Sequence, residues 1–151
     1  MKTYFNLNSR NSFESQINSI FNSLSSTLSD SSIVVKERSK KGSLCKGLIS
    51  VFNKADLRRQ NEEEKEYREY IRQGYSKEML QKPFKAIPIV RYAFYADTVS
   101  PDRLGSVAIY GKNLTPLLLM IKKSKSLFGH RVISANTEMG IRPFLDVKIA
   151  A

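Results

Sequence analysis

The stretch SLCKGLISVFNKADLRRQNEEEKEYREYIRQG, residues 43–74, predicts one long helix. Leu44, Leu48, Val51, Phe52 and Ala55 recur at the spacing of a single helical face. Arg58 to Glu66 contains no apolar residue. Even so, Arg58/Glu62, Arg59/Glu63 and Glu64/Arg68 set opposite charges four residues apart, the spacing at which side chains on successive helical turns meet. Tyr67, Tyr70 and Ile71 restore an apolar edge before Gly74 ends the helix. The middle turns of such a helix have no core to face.

Upstream, residues 1–32 hold ten Ser and five Asn. Phe13, Ile17, Ile20, Phe21, Leu24 and Leu28 nevertheless fall on one helical stripe, and Asn11 with Glu14 forms a capping box. Ser and Asn are mediocre helix formers, so this helix is stable only when its stripe is docked, a neighbouring subunit being one place for it. Phe13, Ile17, Phe21 and Leu24 are its docking residues. Residues 1–35 are thus expected to be an amphipathic arm, with a short strand at Ser31–Val35, and residues 36–151 a single α+β domain.

Downstream, Ser76 caps a short helix from Lys77 to about Gln81, stopped by Pro83. The period then changes to two. Ile87–Asp97, Ser106–Tyr110, Leu114–Ile121 and His130–Ala135 read as strands, the third an edge or bulged strand because of Pro116. Lys122–Gly129 reads as a basic loop, and Ile141–Ile149 as a strand or a short helix. The expected fold class is α+β, with N-terminal helices, one of them long, followed by a small antiparallel sheet or meander.

Composition narrows the function classes. The chain has 151 residues and a formal net charge of +11. No apolar run approaches a membrane span, and Met1-Lys2 leads into Asn and Ser rather than a signal-peptide core. A single cysteine, Cys45, and a single histidine, His130, argue against a disulfide framework and a Cys/His zinc site. A soluble protein with no membrane partner is expected. The charge is segregated: residues 36–60 hold eight bases against two acids, residues 105–131 five bases and no acid, and Glu62-Glu63-Glu64 lies between them. Such a field draws polyanions or complementary protein surfaces, and it also suits a plain solvated exterior. The interface residues it nominates are Lys36, Arg38, Lys40, Lys41, Lys46, Arg58, Arg59, Glu62, Glu63, Glu66, Lys122, Lys123, Lys125 and Arg131.

Catalytic signatures are weak. Gly105 and Gly111-Lys112-Asn113 miss the spacing and the Ser/Thr of a phosphate loop. His130 has no nucleophile elbow. Pro101-Asp102 with Asp146-Val147-Lys148 matches a metal-nuclease pattern only loosely, and Pro101-Asp102 is ordinary turn chemistry. No catalytic, cofactor-binding or metal-holding residue is assigned, and a metal-dependent nuclease stands a distant third among the functions considered. A small basic nucleic-acid-binding protein is the alternative, with the two basic blocks on phosphates and Tyr92, Phe94 or Tyr95 as stacking surfaces.

The order of several short segments carries a resemblance. Asn53-Lys54-Ala55 leads to YSKEMLQKPF (75–84) and to Ala96-Asp97-Thr98-Val99-Ser100-Pro101-Asp102-Arg103-Leu104. The strand Ser106–Tyr110, Gly111-Lys112-Asn113-Leu114-Thr115-Pro116-Leu117 and the Lys-rich Lys122–Ser134 follow. Over residues 46–149 this is similar to the minor tail protein Z type of tailed bacteriophages, and Gly140-Ile141-Arg142-Pro143-Phe144-Leu145 resembles the ending of the related head–tail joining proteins. Thr115 stands where a hydrophobic residue is usual, and the Ser/Asn-rich helix has no counterpart. The resemblance implies a non-enzymatic virion protein active in tail completion, assembled in the host bacterial cytoplasm and needing no cofactor. It would form a hexameric or dodecameric ring at the head–tail junction or tail end, beside other neck or tail proteins, with DNA in its lumen. The Glu62–Glu69 helix and the Lys36–Lys46 loop would be opposite sides of the subunit contact.

Overall fold

In a computed structural model, residues 12–37, 44–138 and 144–150 are described. Helix α1 (Ser12–Thr27) is followed by strands β1 (Ser32–Glu37) and β2 (Cys45–Asn53), then by helix α2 (Lys54–Arg72) and a single 3₁₀ turn (Lys77–Met79). Strands β3 (Val90–Ala96) and β4 (Leu104–Gly111), helix α3 (Thr115–Ser124) and strands β5 (Ser126–Leu127), β6 (His130–Glu138) and β7 (Phe144–Ile149) complete the order. The strands form one antiparallel sheet, β1-β2-β3-β4-β7-β6-β5, curved into a half-barrel.

Alternation explains which face is core. Val51 and Ile49 pair with Val90 and Tyr92, and Tyr92 and Phe94 with Ile109 and Val107. Leu145 and Val147 continue that row on β7. Phe94, Ile49, Val107, Ile109, Leu145 and Val147 have no solvent exposure, and full burial of a side chain of this size contributes roughly 1.5–3 kcal/mol. Two helices close this face. Phe13, Ile17 and Ile20 of α1 enter the core, with Phe21, Leu24 and Leu28 packed against it, so the N-terminal stripe docks on its own chain's β1 and β2. Ile121 of α3 enters from the other end, over β5 and β6. Phe128, at the tip of the β5–β6 hairpin, packs edge-on against Tyr92 at 5.2 Å. The hairpin turns through Phe128 (φ 53°) and Gly129 (φ 80°), positive angles matching the twist of the flanking strands.

The expected arrangement of helices first and a small sheet second is overturned. Helices and strands alternate along the chain, and the sheet of seven strands is the larger part. Two segments account for the difference. Residues 45–53 are a strand, not the first turns of a helix. Leu48, Val51 and Phe52 fit a helical face by coincidence, whereas β-branched Ile49 and Val51 with Leu48 and Phe52 supply both faces of a strand. The helix starts at Asn53, whose side chain accepts the N–H of Ala55 (2.9 Å) and of Asp56 (3.2 Å). Residues 115–124 are a helix, not a strand. Pro116 lies in its first turn, where a missing N–H costs nothing, and Lys122 and Lys123 lie in its last turn, where they complement the helix dipole.

The helical character of residues 115–124 has a direct test. Ile121 is 1% exposed and Leu119 62%, although two residues apart they would share a face on a strand. Ile121→Ala should cost about 2–5 kcal/mol in denaturant unfolding and Leu119→Ala within about 0.5 kcal/mol. Equal losses would contradict the helix.

Candidate functional site

Helix α2 has no buried residue over its 19 positions. It leaves the end of β2 and projects, and the chain then runs back along it from Leu80 to Ile89. Three contacts bind the returning segment to the helix. Phe84 donates its N–H to Glu63 Oε1 (2.9 Å), and Ala86 donates its N–H to Gln60 Oε1 (2.7 Å). The Arg59 guanidinium stacks 4.1 Å above the Phe84 ring while its Nε holds Glu63 Oε2 at 2.6 Å. A helix with no buried residue thus acquires a partner segment through polar side chains. Of the three opposite-charge pairs expected on it, Arg59–Glu63 forms.

The far end of this arm is tightly defined. Gln73 and Gly74 donate their N–H groups to Glu69 and Ile71 carbonyls, Gly74 turns at φ 99°, and Tyr75 donates to the Tyr70 carbonyl. The Tyr70 and Tyr75 rings meet edge to face at 5.5 Å. Ser76 Oγ donates to Glu78 Oε2 at 2.7 Å, which holds that carboxyl below its ordinary pKa. Met79 stands beside it, 81% exposed.

The second feature is the sheet face opposite the core, which no helix among the described residues covers. Ser50 is fully buried there beneath Arg91, whose Nε lies 3.3 Å from Ser50 Oγ and whose Nη2 lies 3.5 Å from Glu37. Around Arg91, Leu48, Tyr95, Tyr110 and Phe144 line a shallow hollow of about 910 Å³, walled by Ile87 and Pro88 of the returning segment. The Tyr110 and Phe144 rings lie 5.1 Å apart. Burial, and then Cys45, Tyr110 and Asp146, raise the Tyr95 pKa. Another hollow, of about 620 Å³, opens between Phe84–Val90 and the start of α3 and includes Tyr92, whose pKa burial pushes up.

The nominated residues separate into groups. Lys36 turns inward to α1, bonded to Asn18 Oδ1 and 6.0 Å from the Phe21 ring centre. Arg38, Lys40 and Lys41 lie outside the described residues, and Lys46 is exposed at a bulge of β2. Glu63 and Arg59 face the returning segment, whereas Glu62 and Glu66 share the outer helix face with Glu69. Arg58 is exposed near the base of α2. Lys122, Lys123, Lys125 and Arg131 come together at the corner where α3 passes into the β5–β6 hairpin, tied by the Val132 N–H to the Lys125 carbonyl. Among the described residues, Lys36 and Lys46 on β1 and β2 thus lie at the opposite end of the strand order from this corner.

The chemistry-bearing residues weighed for catalysis do not converge. Gly105 and Gly111 lie within β4, and no loop forms between them. Asp146 is on β7, 3.4 Å from Lys148, while Asp102 is in the 100–103 turn. That turn is capped by Asp97, which accepts the Val99 and Ser100 N–H groups and so has a lowered pKa. Among the described residues no three of His, Cys, Asp and Glu are placed to share a metal ion, and no helix is long and apolar enough to cross a membrane. The uncovered face and the arm tip are candidate surfaces that sequence reasoning missed. The available signal was β2 itself, apolar on both sides.

Comparison of the chain with protein-family models, with curated proteins and with solved structures finds no match.

The Glu63 carboxylate has its pKa lowered, first by the Arg59 hydrogen bond and then by the Phe84 N–H. A depressed carboxyl stabilises the arm above the ordinary glutamate range, and that contribution is lost as pH falls through the folded value. The Phe84 amide resonance should therefore titrate with a midpoint below 4.5, the ordinary value, and should lose that transition in Glu63→Gln. A midpoint at or above 4.5 would contradict the contact.

Proposed function

We propose that the protein is a non-enzymatic structural component of a tailed-bacteriophage particle. It assembles as a ring of identical subunits at the head–tail junction or tail end, against other neck or tail proteins. The observation that supports this most is the arm: a helix with no buried residue, bonded to the returning segment and ending in exposed Tyr75 and Met79. A projection of this kind gives a single chain no core, and its use is contact with another molecule. Glu62, Glu66 and Glu69 surround Lys65 on its outer face, a surface of net negative charge that suits a basic neighbouring surface. In this reading the work of the protein is interface complementarity, without a cofactor, and DNA passes the lumen of the ring.

The alternative, nucleic-acid binding, draws on the corner formed by Lys122, Lys123, Lys125 and Arg131. The two readings differ in sign on one variant. Because Glu63 holds the returning segment, the informative reversal is Glu62→Lys with Glu66→Lys. Subunit contact predicts a smaller assembly in sedimentation. Nucleic-acid binding predicts unchanged mass, tighter DNA binding and a salt dependence steeper by about 0.9 in log–log slope for each further phosphate neutralised.

A further inference from the structure

The arm tip and the hollow on the uncovered sheet face fit one another, and one chain does not bring them together. At 1.5 Å per residue α2 carries its tip roughly 28 Å from the end of β2. The returning segment bonded along the helix prevents it from folding back. The tip presents Tyr75 and Met79, 52% and 81% exposed, in a backbone already fixed by its turn hydrogen bonds. Little ordering entropy is left to lose on binding. Glu78 sets a carboxylate beside them, with Lys77 in the same turn. The hollow offers the converse: an aromatic floor of Tyr95, Tyr110 and Phe144, an apolar wall at Ile87, and the cations Arg91 and Lys112. Ser50 and Glu37 engage only part of the Arg91 guanidinium, which has five N–H donors.

We propose that the arm tip of one copy of this chain docks in the sheet hollow of the next, Met79 and Tyr75 on the aromatic floor and Glu78 against Arg91 and Lys112. Charge disfavours a second sheet face as the occupant, because a two-fold pairing of hollows would set Arg91 and Lys112 against the same residues of the other copy, whereas the tip brings a carboxylate as well as Lys77. Each copy then uses one tip and one hollow. Such a head-to-tail contact closes into a ring when its rotation closes. The inference rests on the ring reading and identifies the surfaces that would build it.

Met79→Asp and Ile87→Asp test it in the full-length chain. Both residues are mostly exposed, at 81% and 73%, so both variants should keep the wild-type melting profile. In native mass spectrometry each variant alone should be monomeric under conditions where the wild type assembles. Mixed at high concentration they should give one-to-one heterodimers, since the first keeps an intact hollow and the second an intact tip. If both variants assemble like the wild type, the docking is overturned and the ring reading stands. Loss of assembly in Ile87→Asp alone, or a mixture that stays monomeric, overturns head-to-tail docking. A monomeric wild type overturns both.

Discussion

From Arg58 to Glu66 helix α2 offers no apolar side chain, and a helix with that composition has no way into a hydrophobic core. The structure answers the constraint with polar chemistry. Gln60 and Glu63 accept backbone N–H groups from the irregular segment that returns along the helix, and Arg59 stacks on Phe84. These exposed contacts are individually modest. Together they hold a marginal helix as an arm whose tip carries the exposed Tyr75 and Met79. The sheet has the matching asymmetry. Both α1 and α3 pack their apolar stripes on one face, and no helix among the described residues covers the other.

How legible this was in the sequence depends on which physical signal each segment carried. The α1 stripe was plain, because Phe13, Ile17 and Ile20 have no reading but a helical one among so many Ser and Asn. Strands β3, β4 and β6 announced themselves by alternation. Residues 45–53 did not, since a strand apolar on both faces mimics a helical face over two turns, and only Gly47, Ile49 and Asn53 spoke against it. In 115–124, Pro116 suits the first turn of a helix as well as the edge of a strand, and the apolar run around it does not separate the two. The reversal of these two segments changed the fold from helices with a small sheet to a wide half-barrel with helices on one side.

The candidate surfaces were legible only in part. Charge counting identified the acidic helix and the basic corner, but it could not tell Glu62 and Glu66, which face outward, from Glu63, which holds the arm together. Nor could it show that Lys36 is occupied by Asn18 on α1. Tyr95, Tyr110 and Phe144 meet only because β3, β4 and β7 are adjacent, a long-range pairing with no local signature. What emerges is a molecule with a core on one face of its sheet and with apolar side chains also at the arm tip and in the hollow, with charges around both.

Lysine-directed cross-linking of an equal mixture of unlabelled and nitrogen-15-labelled protein tests the central claim most directly. Lys77 adjoins the arm tip, and Lys112 lines the hollow. Contact between copies through these two surfaces predicts abundant Lys77–Lys112 cross-links that join one light and one heavy peptide. Lys77–Lys112 links confined to peptides of a single label, or mixed-label links that join other lysines and never these two, would contradict it.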